Sequence, residues 1–394
     1  MRPCRGVQRR AAALADVVVV GGGPAGCLAA ALLQATGRRV VLLHRSRGPH
    51  AKGAGAHAHR IPSESWQGLE RFLPGLHREV IEAGATQGSL HCLSAGAGND
   101  AAVTPWLSRR LLDRLMRRRT AAAGVIVKDV SALHVAALTT RQWEIDYQPA
   151  DGRSRIAHSR APLLVDASGS ARAALAGVAG ALGSAIPLLQ VPGQDHYWSV
   201  RLADIALPWG AGALSLDSDR AGRVIIQRLE SGSDDGATHL LTCIVRGESR
   251  GTEGAKPTPT DLLSALSADP ELADMLANAR PVAPPNRFGP LPIQLLQAHR
   301  VGAAAPDWLA LGDALLVTPP AKGLGIAWAV LQAERLRAGL DAGLESDELR
   351  RSLGEFAEAA WLSASFEQAL EDDGFHPRNS FDLLRDQSEE SCHA

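Results

Sequence analysis

The sequence predicts an α/β fold: a parallel sheet with helices on its faces, interleaved with an antiparallel sheet and closed by a helical C-terminus. Three observations predict it. Asp16–Val20 (DVVVV) is a β-branched run suited to a strand buried on both faces. Gly21-Gly22-Gly23-Pro24-Ala25-Gly26 then turns the chain into a small, apolar helix (CLAAALLQ), which Gly37 ends before a second strand, RVVLL, completing a βαβ unit. From Tyr197 to Val245 the pattern becomes period two (YWSVRLADI, RVIIQRL, LLTCIV), as an antiparallel sheet requires.

The intervening segments follow the same logic. His50–His59 (HAKGAGAHAH) reads as a loop, and Ser65–Phe72 and Leu76–Ala83 as helices. Ser108–Ala122 (SRRLLDRLMRRRTAA) is an arginine-rich amphipathic helix. Val125–Val127, Leu133–Ala137 and Trp143–Tyr147 read as strands of a small sheet, and Ala161–Ala167 (APLLVDA) as another buried strand. Gly251–Pro259 is a linker before a short helix, Asp261–Leu266. Trp308–Leu311 returns to buried-strand character, Ala321–Gly325 is a loop, and Ile326–Ala338 is a long helix.

Composition bounds the function. The 394 residues carry 41 Lys+Arg against 42 Asp+Glu, a net charge of −1, so no basic field favours nucleic acid. Hydrophobic residues make up 45% and charged residues 21%, as in a folded soluble chain. The 5 cysteines form neither CxxC nor a zinc spacing, which suits a reducing, cytoplasmic setting without disulfides or a bound metal. The basic start reads as a short tail rather than a signal segment, because its apolar run feeds directly into the glycine turn. No run approaches the ~20 apolar residues that a membrane span needs.

The glycine turn carries the chemistry. Gly21-x-Gly23-x-x-Gly26 follows a strand and opens a helix, the setting in which this spacing holds a dinucleotide. Gly21 permits the tight turn, Gly23 the approach of a pyrophosphate, and Gly26 close helix–strand packing. The helix starts at Pro24-Ala25-Gly26, and its unpaired N–H groups, of which proline contributes none, face the phosphates. The acid expected some 20 residues on, for the ribose hydroxyls, is replaced by His44-Arg45. A histidine nitrogen can accept one ribose hydrogen bond, and Arg45 would suit a 2′-phosphate.

Three segments in order, VVVVGGGPAG, LLVDASGSAR and LALGDALLVTPPAKGLGIA, together resemble the FAD signatures of the class A flavoprotein monooxygenases. That superfamily includes aromatic and polyprenylphenol hydroxylases and epoxidases, with related halogenases and geranylgeranyl reductases. GAHAHRIPSESWQGLERFLPGLHREVIEAGA and SRRLLDRLMRR look most like its epoxidase-like and hydroxylase-like bacterial members, and the likeness runs from Asp16 to Arg337. The resemblance implies a Rossmann-type FAD-binding domain over 16–90, 101–180 and 287–340, interleaved with an antiparallel-sheet substrate domain over 91–100 and 181–286. A tail (1–15) precedes them, and a helical C-terminal segment (341–394) follows.

It also implies residue roles. Gly21, Gly23 and Gly26 hold the FAD pyrophosphate. Arg109 reaches the ribityl–phosphate region, and Asp166 flanks FAD and pyridine nucleotide. Asp313, after Gly312, bonds the ribityl chain or, through water, the pyrophosphate. Gly323, Leu324 and Gly325, following Pro320, lie against the isoalloxazine. The chain departs from the family at His44, at Thr318–Lys322, and at Leu324, where glutamine is common.

The reaction so implied uses NAD(P)H and O2 to hydroxylate or epoxidise a largely apolar or aromatic small molecule. It needs no side-chain nucleophile or metal, in keeping with the absence of HExxH. His57 and His59 are candidates for substrate bonding or acid–base work, and Trp198, Trp209 and Trp328 for an apolar chamber. The alternatives are a halogenase, with Lys52 or Lys322 as its lysine, a geranylgeranyl-type reductase, and a flavoprotein acting on a partner-protein tryptophan. A catalytically silent nucleotide-binding or partner protein is the reading from a different class.

Overall fold

The computed structural model describes residues 13–45, 61–93, 100–139, 141–151, 156–208, 210–218, 222–231, 238–246, 263–264, 266–301, 307–318 and 324–372. In chain order the strands and helices begin with β1 (Ala13–Leu14), β2 (Val17–Val20), α1 (Pro24–Ala35), β3 (Val40–Arg45), α2 (Ser63–Phe72) and α3 (Leu76–Glu82). β4 (Thr86–Cys92), β5 (Asp100–Trp106), α4 (Arg109–Ala122), β6 (Ile126–Thr139), β7 (Gln142–Pro149), β8 (Ala157–Ala161), β9 (Leu163–Asp166) and α5 (Leu175–Leu182) follow. Then come β10 (Leu188–Val191), β11 (Asp195–Ala203), β12 (Ala211–Ser218), β13 (Gly222–Arg228) and β14 (His239–Arg246). The chain continues with α6 (Pro270–Leu276), β15 (Arg280–Pro281), β16 (Asn286–Phe288), β17 (Ile293–Leu296), β18 (Trp308–Ala310), β19 (Leu316–Val317), α7 (Leu324–Asp341) and α8 (Ser346–Asp372).

The first sheet has the order β1-β8-β7-β6-β3-β2-β9-β18. Its centre, β6-β3-β2-β9-β18, is parallel. β2 sits in the middle with all of its valines buried, which is why an unbroken apolar run serves there. α1 is small-sided along its length, starts with Pro24 at its first turn, and is buried from Pro24 to Leu33 between the sheet and α7.

The expected small sheet of residues 125–147 does not stand apart. Val125–Val127 and Leu133–Ala137 belong to a single strand, β6, whose first half pairs with β3 and whose second half pairs with β7. The register shifts by a bulge near Ser131, which breaks the alternation that made two runs out of one strand.

The second sheet has the order β15-β11-β14-β13-β12-β4-β5, with β16 on β11. It confirms period two as the right reading of Tyr197–Val245. It also takes in β4 and β5, so strand pairing carries it beyond the 91–100 segment read from sequence. One face packs its apolar side chains, among them Val200, Leu202, Leu214, Val224, Ile226 and Leu241, against Leu266, Leu272 and Leu276. A third, small sheet, β10-β17-β19, forms where the chain enters and leaves the second one.

His239 on β14 is 3% exposed, and burial, helped by the nearby Arg228 charge, lowers its pKa to about 4. Unfolded, the imidazole takes its proton near pH 6.5. The unfolded chain therefore binds a proton that the folded chain refuses, and stability falls as pH drops from about 6.5 towards about 4. The expected loss is a few kcal/mol. Denaturant midpoints measured across this window should slope less in H239N than in the wild type; equal slopes would refute the assignment.

At the C-terminal end α8 lies on α7, with Phe356 stacked on Trp328 at 4.8 Å. Glu358 receives His299 (3.2 Å) and Arg300 (2.9 Å) from the turn before β18. Among the described residues, no helix is long and apolar enough to cross a membrane.

Candidate functional site

The end of β2 and the start of α1 form a cradle whose glycines have distinct reasons to be there. Gly21 has φ +113°, and a Cβ on it would lie 2.1 Å from the Ala167 carbonyl oxygen. A Cβ on Gly26 would lie 1.8 Å from the Gly21 oxygen. A Cβ on Gly22 would press on His44 and on the Arg117 side chain, at 2.8 and 2.9 Å. Gly23 is different: its backbone is ordinary extended chain, and a Cβ there would meet only Arg109 Nη2, at 3.8 Å. Nothing among the described residues requires glycine at position 23, which leaves open space beside it. α1 has no side-chain cap, so the amides of its first turn, with the positive end of the helix, face that room.

Arg109 opens α4. Ser108 caps this helix through the Leu111 amide, and Glu230 of the second sheet grips the Ser108 amide and hydroxyl at 2.7 Å each. The arginine-rich face then sorts itself by position. Arg110, Arg114 and Arg118 are exposed; Arg109 and Arg117 are partly buried on the α1 side, two turns apart. Arg109 pairs with Asp113 at 2.7 Å. Burial works against its charge, but Asp113, with Asp313 farther off, outweighs burial and raises its pKa.

Asp313 lies in the turn Gly312–Ala314 that follows β18. It is exposed to solvent although protein crowds around it. That crowding raises its pKa, while Arg109 and Arg172 lower it. Gly312 permits the turn: its φ is +60°, a Cβ would meet the Ala25 Cβ at 2.7 Å, and its amide donates to Gln332 Oε1 of α7. Leu324 and Gly325, expected in a loop, form the first turn of α7, which starts two residues before Ile326. Gly325 has open space where its Cβ would be, again without an internal reason for glycine.

Asp166 corrects the expectation of a cofactor contact. It is 4% exposed; one oxygen accepts from the Ser168 amide and hydroxyl, and the other from the Ala174 amide. Its carboxylate is spent on shaping the turn after β9, and burial raises its pKa despite those bonds. His44 does lie beside the cradle, against Gly22, with Arg45 exposed next to it and Asp129 opposite it on β6. His57, His59, Lys52, Trp209, Pro320, Lys322 and Gly323 lie outside the described residues. Trp198 and Trp328 do not line a chamber: Trp198 packs on the outer core under Arg287, and Trp328 is buried against Phe356.

Sequence reasoning missed four residues. Arg117 donates to the Gly22 oxygen (3.2 Å); its signal was the two-turn spacing from Arg109. Cys27 places its thiol near the same oxygen (3.6 Å), and burial pushes its pKa up to about 12, so it is no nucleophile. Gln332, a lone amide on the buried face of α7, holds Gly312. Arg172 gave no periodic signal.

The other face of the second sheet carries Tyr197, Ser199, Ala213, Ser215, Ile225, Gln227, Thr242 and Ile244, as the register requires. Gln227 donates to the Leu107 oxygen, immediately before α4, so this face turns towards Arg109 and the cradle. It mixes apolar side chains, Tyr197, Ala213, Ile225 and Ile244, with polar ones, including a buried hydroxyl pair, Ser199 and Thr242, at 2.9 Å.

The flavin-dependent brominase Bmp2 superposes with a TM-score of 0.71 at 18% identity, over 91% of this chain and 87% of its own. The p-nitrophenol 4-monooxygenase PnpA from Pseudomonas putida DLL-E4 gives 0.65 at 17%, over 96% and 93%. The peptidyl tryptophan dihydroxylase QhpG gives 0.59 at 21%, over 89% and 73%. At such identities the likeness is one of fold. No curated protein sequence matches the chain. The model of the family described as FAD dependent oxidoreductase matches residues 16–227, more than half of the chain. The open space at Gly23, the uncapped start of α1 and the nearby Arg109 and Asp313 are consistent with that cofactor. The chain therefore belongs to the FAD dependent oxidoreductase family.

Proposed function

We propose that this FAD-dependent oxidoreductase is a monooxygenase of the class A type, acting on a largely apolar or aromatic small molecule with NAD(P)H as reductant. The observation that carries this reading is the group of apolar side chains, Tyr197, Ile225 and Ile244, on the inner face of the second sheet, held across the start of α4 from the cradle. The overall reaction balances as substrate–H + O2 + NAD(P)H + H+ giving substrate–OH + H2O + NAD(P)+.

FAD, when bound, supplies two-electron redox chemistry and reaction with O2. The chain's own part is to bind, orient and exclude water. The first-turn amides of α1 would hold the pyrophosphate, Arg109 would balance its charge, and Asp313 would accept from a ribityl hydroxyl. Tyr197, Ile225 and Ile244 would exclude water from the substrate's side, as productive oxygen transfer demands. Ser199 and Thr242 would offer a polar anchor between those apolar side chains.

The fold likeness to a brominase favours halogenation as a second reading, and the likeness to a peptidyl tryptophan dihydroxylase favours a protein tryptophan as substrate. One experiment separates them. The FAD-loaded chain is given NADPH or NADH, O2 and a panel of phenols, polycyclic aromatics and tryptophan peptides, with and without bromide. Products gaining one oxygen atom support the proposal. A halogen in place of hydrogen, found only with bromide, supports the second reading. No substrate-stimulated oxygen uptake with any of them sinks both.

A further inference from the structure

Arg172 follows the short turn Gly169–Ala171 with a left-handed backbone, φ 44° and ψ 55°, which a residue without glycine's freedom adopts only under constraint. Its side chain is the constraint. It is 7% exposed, and Nε donates to the Ala314 oxygen at 3.0 Å, one residue from Asp313. Nη1 donates to Gln294 Oε1 at 2.9 Å and to the Ser170 oxygen at 3.3 Å. Gln294 lies on β17 and donates in turn to Gln190 of β10 at 2.7 Å. These strands are the two chain crossings between the first sheet and the second, since β10 runs into β11 and β17 follows β16. Nη2 is buried without a hydrogen-bond partner, a costly state for a guanidinium.

We infer that Arg172 is a positioning residue that fixes the Asp313 turn and ties it to the root of the second sheet. One planar cation reaches three segments: the turn after β9, the turn carrying Asp313, and β17; the ladders of β9 with β18 and of β17 with β19 flank these turns, and Arg172 bridges the turns themselves. A lysine, with a single point of charge, cannot span them. Arg109 approaches Asp313 from α4 and Arg172 from the crossover, and among the described residues these are the charges that act on its carboxylate. Asp113 and Asp166 stand behind them as counter-charges. The inference rests on the FAD reading of the cradle, because Asp313 matters only if a cofactor lies against it.

The test uses full-length wild type, R172K, R172M and Q294L. FAD dissociation constants come from flavin fluorescence between about pH 5 and about pH 9, beside the thermal midpoint of each apoprotein. Without Arg172, burial outweighs Arg109 alone and Asp313 holds its proton to higher pH. R172M is expected to bind FAD roughly tenfold more weakly, with the acid fall of its affinity moved to higher pH. R172K should keep the wild-type acid fall but not the full affinity, and Q294L should lose affinity a few-fold. An R172M protein that matches the wild type overturns the inference. So does one whose affinity falls only in step with its thermal midpoint, with the acid fall unmoved. Should R172M fail to fold, wild-type affinity in Q294L and R172K has the same consequence. A wild-type chain that binds no FAD overturns the cradle reading itself, a result distinct from normal binding with indifferent variants.

Discussion

Replacing Gly23 with valine is expected to leave the chain folded and to abolish its useful affinity for FAD. The backbone at Gly23 is extended, so a β-branched residue fits it without strain. Among the described residues, the one atom within 4 Å of a Cβ there is Arg109 Nη2, at 3.8 Å, an ordinary contact distance. The pyrophosphate has no such freedom. Its bonds to the first-turn amides need the phosphorus within contact of the backbone at Gly23, and each charged hydrogen bond lost costs about 1.5–3 kcal/mol. One or two such bonds correspond to roughly a hundredfold or more in dissociation constant. Thermal midpoint and FAD titration, measured on the same preparation, separate the two effects. Normal binding by G23V would show that the open space at Gly23 is not where phosphate lies.

Gly26→Ala should do the reverse and fail at folding before it fails at binding. Its Cβ would lie 1.8 Å from the Gly21 carbonyl oxygen and 3.3 Å from the Ala167 Cβ, and the first of these is backbone that cannot rotate away. To relieve the clash, α1 must lift from β2 and β9, at the centre of the main core. Overpacking typically costs 1–3 kcal/mol where side chains can yield, so the cost here should exceed about 3 kcal/mol. Against a total stability of about 5–15 kcal/mol, that is enough to remove most soluble protein or lower its midpoint steeply. A G26A chain with a wild-type midpoint would contradict the packing described for the opening unit. The two substitutions, three residues apart in one turn, thus separate a glycine kept for the fold from a glycine kept for the ligand.

The legible parts of the sequence were those where one face or one residue type decides the outcome. The valines of β2 announced a strand because both of its faces are buried, and period two announced the second sheet because one face packs against Leu266, Leu272 and Leu276 while the other looks inward. β6 was split in two because a bulge resets its alternation, and a period-two reading has no means to carry across it. Gly21, Gly23 and Gly26 were legible as a motif, but only the structure separates their reasons. Asp166 and Asp313 illustrate the limit. Asp166 ends β9 and Asp313 lies in the turn just after β18, yet one folds back on the Ser168 and Ala174 amides while the other stands open to solvent. That difference depends on which turn follows. Arg172 was illegible for a related reason: its partners come from Ala314 and Gln294, more than a hundred residues away in sequence.

The most direct measurement is the FAD content of the purified, full-length chain after incubation with excess cofactor and gel filtration, read from its visible spectrum and from flavin released on heating. A nucleotide seated by α1, Arg109 and Asp313 should survive the column at one FAD per polypeptide. A well-folded chain that emerges colourless, and does not quench added flavin, would mean that the space beside Gly23 serves something other than this cofactor.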